Sequence, residues 1–261
     1  MNPGTVDTAI TNSYSAMRWT ALDWLFPPEC AGCGKPGTQW CEECRSSLHL
    51  VQQMVCPLCG TPSLQGVLCA DCRREPPDFH WVRSWAEYDD SLKRVIHSLK
   101  YRNNVLLAQP LGQALAELYS HSPFAADTVT VVPISRERKR TRGYNQAALI
   151  ARAFCRQTGL PFQPLLLKRI RQTASQVGKS RSERMQNVQS AFSASPRWAS
   201  GKTILVIDDV YTTGATLRSC AHALKTAGAL AVIGLTAARA GLAQDDLPLP
   251  DAESIDSAWA F

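Results

Sequence analysis

"VIDDVYTTGATL", residues 206–217, sets two adjacent carboxylates at the end of an apolar run and follows them with threonines around one glycine. The run that leads into it, "TILVI" at 203–207, reads as a buried strand. Behind it, Thr216–Ala227 carries Leu217, Cys220, Ala221 and Leu224 on one helical face and stops at Gly228. The expectation is strand, short polar loop, helix. Asp208 and Asp209 close the strand, and alternation points them to different faces. Free N–H groups and the positive dipole end at the helix start favour phosphate at residues 212–216. Gly214 lets the backbone approach closely or take a positive φ, and Thr212, Thr213 and Thr216 flank Ala215 with hydroxyl donors. Carboxylates beside such a cradle suit a ligand with vicinal hydroxyls and a phosphate, or a bridging Mg²⁺. A capped helix after a buried strand explains one threonine, but not paired acids followed by three threonines and a glycine. The stretch reads as a ribose-phosphate site.

Working outward, "TVTVVPI" at 128–134 is a second buried strand that feeds a basic loop, "SRERKRTRGYN". A helix follows, "QAALIARAFCRQTG", closed by Gly159. "DSLKRVIHSLKY" has Leu92, Val95, Ile96 and Leu99 at helical spacing, and a second amphipathic stretch runs from Leu106 to Tyr119. "PLLLKRI" and "ALAVIGL" are strand-like, and Arg171–Gln189 is polar with little periodicity. Strands alternating with helices predict an α/β fold, a mainly parallel sheet flanked by helices. Ligands of such sheets bind at the carboxyl ends of strands, so the basic loop and the acid-threonine loop should converge on one edge.

Net charge is +6, but Arg136–Arg184 alone holds thirteen Lys or Arg against Glu137 and Glu183. Beyond Gln244 there are five acids and no base. The basic block spans two loops with a helix and a strand between them, which favours a polyanion site over a merely solvated face.

Eight of the ten cysteines form four Cys-x-x-Cys pairs: Cys30/Cys33, Cys41/Cys44, Cys56/Cys59 and Cys69/Cys72. Their segment is short and rich in Gly and Pro, so it needs a cross-link. Two such knuckles complete a tetrahedron of sulfurs around Zn²⁺, and the short gaps pair the sites in sequence as two structural zinc centres. An interleaved ligand arrangement is an alternative, and disulfides or a redox pair fit less well. Cys155 and Cys220 sit in helical patterns as buried thiols. Trp40 and His49 offer stacking surface, but nothing at 30–72 matches a groove-reading finger with paired histidines.

The first residues lack the pattern of a secretory signal, and no apolar run reaches the ~20 residues of a membrane span, so a cytoplasmic protein is expected. The expected organisation is an N-terminal extension at 1–22, a double zinc ribbon at 23–76, the α/β domain at 80–240 and an acidic tail at 241–261.

"ILVIDDVYTTGATL" resembles the phosphoribosyl-pyrophosphate (PRPP) signature of type I phosphoribosyltransferases. Together with "LFPPECAGC", "LKY" at 99–101, "VPIS", "RGYNQ" at 142–146, and Thr173, Gln176, Arg184, Asn187 and Phe192, the chain is similar to the ComF family from about Trp24 to Ala240. That family comprises competence-linked, phosphoribosyltransferase-like proteins, ComFC- and GntX-like, with an N-terminal double zinc ribbon. The resemblance implies that Asp208 and Asp209 hold the ribose hydroxyls or their Mg²⁺, and that residues 212–216 hold the 5′-phosphate. It places Arg142 and Asn145 toward the pyrophosphate, and a mobile flap at 171–189 with Thr173, Gln176, Arg181 and Arg184. Lys179 departs from the apolar residue expected there.

Three functions follow. The resemblance implies a DNA uptake or utilisation protein that handles single-stranded DNA, with Tyr144 and Tyr211 as stacking platforms and the zinc module docking to DNA or to a helicase-like or uptake-machinery partner. An active PRPP-dependent phosphoribosyltransferase is the second, weakened because no base-recognition element is visible. A PRPP-sensing regulator is the third.

Overall fold

The computed structural model describes residues 27–51, 54–63, 65–170 and 191–241. In chain order its elements begin with two short helices, α1 (Glu42–Ser46) and α2 (Ala70–Arg74), inside the cysteine segment. Next come β1 (Trp81–Glu87), α3 (Asp90–Tyr101), α4 (Ala108–Ser120), β2 (Thr128–Val131), α5 (Arg136–Arg142) and α6 (Gln146–Thr158). The remainder are β3 (Leu167–Arg169), β4 (Phe192–Ala194), α7 (Pro196–Ala199), β5 (Thr203–Tyr211), α8 (Ala215–Thr226) and β6 (Ala231–Arg239).

The expected parallel sheet is present. Its order is β1-β6-β5-β2, and every pairing is parallel. A strand covered on both faces must be apolar throughout rather than alternating. β6, in the interior, accordingly buries all nine residues. Leu205 and Ile207 of β5 point into one core with α3, α4 and α6, whereas Ile204 and Val206 point into a second core under α8. Three helices, α3, α5 and α6, begin at a side-chain cap, and α5 and α6 end at a glycine. Asp89 accepts from the Leu92 amide at 2.8 Å, and Asn145 accepts from Ala147 at 3.0 Å. Gly159 closes α6 with φ 74°. At Gly112 a Cβ would lie 2.5 Å from that of Ala153, so the bare backbone is what lets α4 approach α6.

The structure departs from the sequence reading in four places. β1 was not expected, and it forms an edge of the sheet. "PLLLKRI" supplies only β3, which pairs antiparallel with β4 outside the main sheet. The basic loop contains a helix, α5, because Ser135 caps the Arg138 amide and Gly143 ends it at φ 78°. β5 runs through both acids to Tyr211 instead of stopping at them, and α8 starts at Ala215.

The cysteine segment straddles β1. Leu50 bridges Ala86 antiparallel, and the Val51 amide donates to the Trp85 carbonyl at 3.1 Å. Farther along, the Val82 amide donates to the Leu58 carbonyl at 2.7 Å. Cys30 and Cys44 are buried in the first core beside Trp81 and Leu92, and Cys56, Cys59 and Cys72 in the second beside Phe79 and Leu217. One four-cysteine cluster therefore lies on each face of the sheet.

Candidate phosphate site and zinc centres

β2 and β5 are parallel neighbours, so their carboxyl ends open side by side. The Asn145 amide of the loop after β2 donates to the Val132 carbonyl at 3.0 Å, fixing that loop at the strand end. The two acids diverge as alternation demands. Asp209 is 5% exposed and lies on the α3/α6 face, where Lys100 Nζ approaches Oδ2 at 2.7 Å and Gln146 Nε2 donates to it at 3.1 Å. Gln146 Oε1 accepts from Arg142 Nη1 at 3.0 Å. Arg142, Gln146, Asp209 and Lys100 thus form one continuous network beneath the strand ends. Lys100, the centre of "LKY", carries a role that spacing alone did not reveal; its motif was the available signal.

Asp208 is partly buried and makes no ion pair among the described residues. Its Oδ1 accepts from the Asp209 amide at 2.9 Å. Burial, and then the neighbouring Asp209 charge, hold its carboxyl well above the ordinary range. This is a carboxylate short of counter-charge.

After Tyr211 the chain turns through exposed Thr212 and Thr213 to Gly214, which has φ 75°. α8 then begins without a side-chain cap. Thr213 Oγ1 accepts from the Ala215 amide at 3.4 Å, and Thr216 is exposed. First-turn N–H groups left open in this way are what an anion would satisfy. Residues 212–216, Asp208, Asp209, Arg142 and Asn145 therefore gather at one sheet edge. Thr173, Gln176, Arg181 and Arg184 lie outside the described residues.

The cysteines group as their spacing predicts. The sulfurs of Cys30, Cys33, Cys41 and Cys44 all lie within 4.8 Å of one another, and so do those of Cys56, Cys59, Cys69 and Cys72. Sulfur pairs at 3.5, 3.7 and 3.6 Å match the edge of a tetrahedron with bonds of roughly 2.3 Å, and are far too long for disulfides. The Cys41 amide donates to Cys30 Sγ at 3.3 Å, as a metal-binding knuckle requires. Burial pushes the Cys30 thiol up, but amides of Cys41, Cys33 and Gly32 outweigh it and bring it to about 6. At Cys56, amides of Cys59, Cys69 and Leu58 likewise overcome burial, to about 7. Each cluster is thus prepared to present a thiolate, and two Zn²⁺ fit the donor sets. Cys155 and Cys220 are outside them, with thiols pushed up by burial, Cys155 to about 11.

Three expected stacking platforms are engaged in the fold. Tyr211 is 5% exposed under the Arg239 guanidinium, and Tyr144 Oη donates to the Leu99 carbonyl at 2.5 Å. Trp40 is buried edge-on against Trp85. The aromatic that does face solvent at this edge is Tyr101, with Arg142 4.7 Å from its ring centroid.

Comparisons with known proteins agree with this architecture. Residues 21–73 match a double zinc ribbon domain, and residues 100–248 match the phosphoribosyl transferase domain. Competence protein ComFC of Bacillus subtilis is 30% identical over 206 residues, covering 76% of this chain and 83% of that protein. DNA utilization protein YhgH of Escherichia coli is 29% identical over 198 residues, 74% of this chain and 86% of that protein. Competence protein F of Haemophilus influenzae is 28% identical over 209 residues, 72% and 91% of the two chains. With eight cysteines in two tetrahedral groups ahead of a phosphoribosyltransferase-type sheet and loop, the chain belongs to the ComF family of phosphoribosyltransferase-domain proteins.

Proposed function

We propose that this protein acts in DNA uptake or utilisation by handling single-stranded DNA through a phosphoribosyltransferase-type phosphate site. The observation that carries the reading is the pairing, at one strand end, of an unpaired carboxylate with an uncapped helix start. Asp208 is placed to hold ribose hydroxyls, or the Mg²⁺ that accompanies PRPP, and a cation there would supply the counter-charge it lacks. The amides and hydroxyls of Thr212, Thr213, Gly214, Ala215 and Thr216 take the 5′-phosphate. Asp209 is already bonded to Lys100 and Gln146, so its part is to hold the acid pair and Arg142 in register. Arg142 and Asn145 flank the pyrophosphate position. The exposed, basic α5 offers charge to a polyanion. The relatives' names, competence and DNA utilization, support the DNA role. Two structural Zn²⁺ complete the protein, in a cytoplasmic setting that keeps the thiols reduced. A helicase-like or uptake-machinery protein is the partner class proposed for the zinc module.

A second reading, an active phosphoribosyltransferase, is favoured by the presence of both acids and the whole loop. Titration calorimetry of the zinc-loaded protein with PRPP and Mg²⁺, repeated with single-stranded DNA present, separates the readings. Binding lost in Asp208→Asn establishes the cradle, and displacement by DNA shows that it is shared. Pyrophosphate release on adding an acceptor base turns the conclusion to the enzyme. A protein that binds neither PRPP nor DNA overturns both.

A further inference from the structure

The second cysteine cluster sits directly behind the phosphate loop. Arg239, the last residue of β6, is 4% exposed and makes no ion pair among the described residues. Its Nη1 donates to the Cys59 carbonyl at 2.9 Å, and its Nη2 donates to Thr61 Oγ1 at 2.5 Å. Thr61 Oγ1 in turn lies 3.1 Å from Cys59 Sγ. The other side of the Arg239 guanidinium covers the ring of Tyr211, its partner across the β5–β6 ladder, at 4.3 Å. Tyr211 fills the space under the loop: a Cβ added to Gly214 would fall 2.1 Å from its hydroxyl oxygen. A second tie comes from the helix. Arg218, whose amide donates to the Gly214 carbonyl at 2.9 Å, reaches back to the Glu75 carbonyl at 2.8 Å and to Cys72 Sγ at 3.8 Å.

A buried guanidinium without a carboxylate is costly unless another anion compensates it. Four thiolates around one Zn²⁺ leave a net double negative charge. Arg239 and Arg218 touch that cluster directly, and Arg83 donates to the Pro57 carbonyl at 3.2 Å beside it. A Zn²⁺ held by these four thiolates would be their common counter-ion. The first cluster lies on the other face of the sheet, where Arg94 donates to the Gly32 carbonyl and Cys30 and Cys44 pack in the core of Leu92 and Val95, not in the one that holds Tyr211 and Leu217.

We propose that the second zinc centre, acting through the positioning residues Arg239 and Tyr211 and through Arg218, sets the shape of the Gly214 loop, so that phosphate affinity depends on zinc at Cys56/Cys59/Cys69/Cys72 and not on the first centre. The dependence on a ligand rests on the phosphate-site reading above; the coupling to loop order does not.

The test is hydrogen–deuterium exchange on the full zinc-loaded chain, read over residues 211–218, with zinc content and PRPP titration on the same samples. Arg239→Gln should keep two zincs while exchange over 211–218 rises about tenfold and PRPP affinity falls by a similar factor. Arg239→Lys, which keeps the charge but not the flat stack, should recover part of both and serves if the glutamine variant fails to fold. Arg94→Ala, at the first centre, should leave exchange over 211–218 at the wild-type level. Wild-type exchange there in Arg239→Gln, or an equal rise in Arg94→Ala, overturns the coupling. If wild-type protein binds no PRPP, the phosphate-site reading fails while the exchange data still decide the coupling.

Discussion

Lys100 Nζ lies 2.7 Å from Asp209 Oδ2, tying the last turn of α3 to the carboxyl end of β5. Both side chains are largely withdrawn from water, so the pair differs from an exposed salt bridge in what its loss costs. Replacing Lys100 with Met leaves Asp209 buried with only the Gln146 amide, a loss of about 3 kcal/mol. The paired variant Lys100→Met/Asp209→Asn removes the stranded charge and should recover at least half of that. Urea unfolding of the two variants measures the difference. Equal destabilisation by the single and double changes would show that the ion pair is not what holds α3 to β5.

The Asp208 carboxyl makes the opposite prediction. Its folded pKa is raised, so the native state binds a proton more readily than the unfolded chain, where the ordinary value is about 3.9. Stability from this group is therefore greatest below pH ~4 and declines as pH rises through the window up to the raised value. Asp208→Asn should remove that slope and stabilise the ligand-free protein at neutral pH by about 1 kcal/mol, a few degrees in Tm. The same change should abolish PRPP binding. Thermal melts of the two proteins at several pH values provide the measurement, and parallel curves would refute the assignment.

The contrast between these two acids shows where the sequence stops being legible. Their opposite faces, the loop behind them and the positive φ open to Gly214 followed from local pattern, because strand alternation and turn chemistry are local; that β5 runs on through both acids to Tyr211 did not. That Asp209 is the engaged acid depends on Lys100 and Gln146, which arrive from helices distant in sequence. The zinc pairing was readable for a local reason too: short gaps leave each knuckle its neighbour. The docking of one cluster on each face of the sheet was not, since it requires β1, a short edge strand whose "WVRSWAE" mixes charge with aromatics. Tyr211 reads as a loop aromatic in sequence, yet the extension of β5 places it under Arg239 and out of reach of a ligand.

Zinc removal should reach well beyond the cysteine segment. Cys30 and Cys44 belong to the first core, and Cys56, Cys59 and Cys72 to the second. Metal-binding free energy in such sites is folding free energy. Stripping both ions with a chelator should lower Tm by roughly 10 °C or more and expose β1 to proteolysis. Two zincs per chain, with cleavage first appearing near residues 74–87 after chelation, are the expected observations. Resistance of the metal-free chain would mean that the cores hold β1 without the knuckles.

If single-stranded DNA passes this edge, Tyr101 is the platform it meets. Tyr101 is 59% exposed, with His97 4.7 Å away along the same helix and the Arg142 guanidinium 4.7 Å from its ring. Stacking of one base on an exposed aromatic is worth about 1–3 kcal/mol, so Tyr101→Ala should weaken DNA binding by roughly 5- to 150-fold. Tyr144 is half-buried with its hydroxyl committed to the Leu99 carbonyl, and Tyr144→Phe, which keeps the ring, should leave DNA affinity at the wild-type level. Backbone contacts from α5 predict a different signature: replacing Arg138 or Arg140 should flatten the dependence of affinity on salt while leaving base preference unaltered. Fluorescence anisotropy with a labelled oligonucleotide across a salt series distinguishes the two effects. A Tyr101→Ala protein that binds as tightly as wild type, with its salt slope intact, would remove stacking at this edge from the DNA-binding surface.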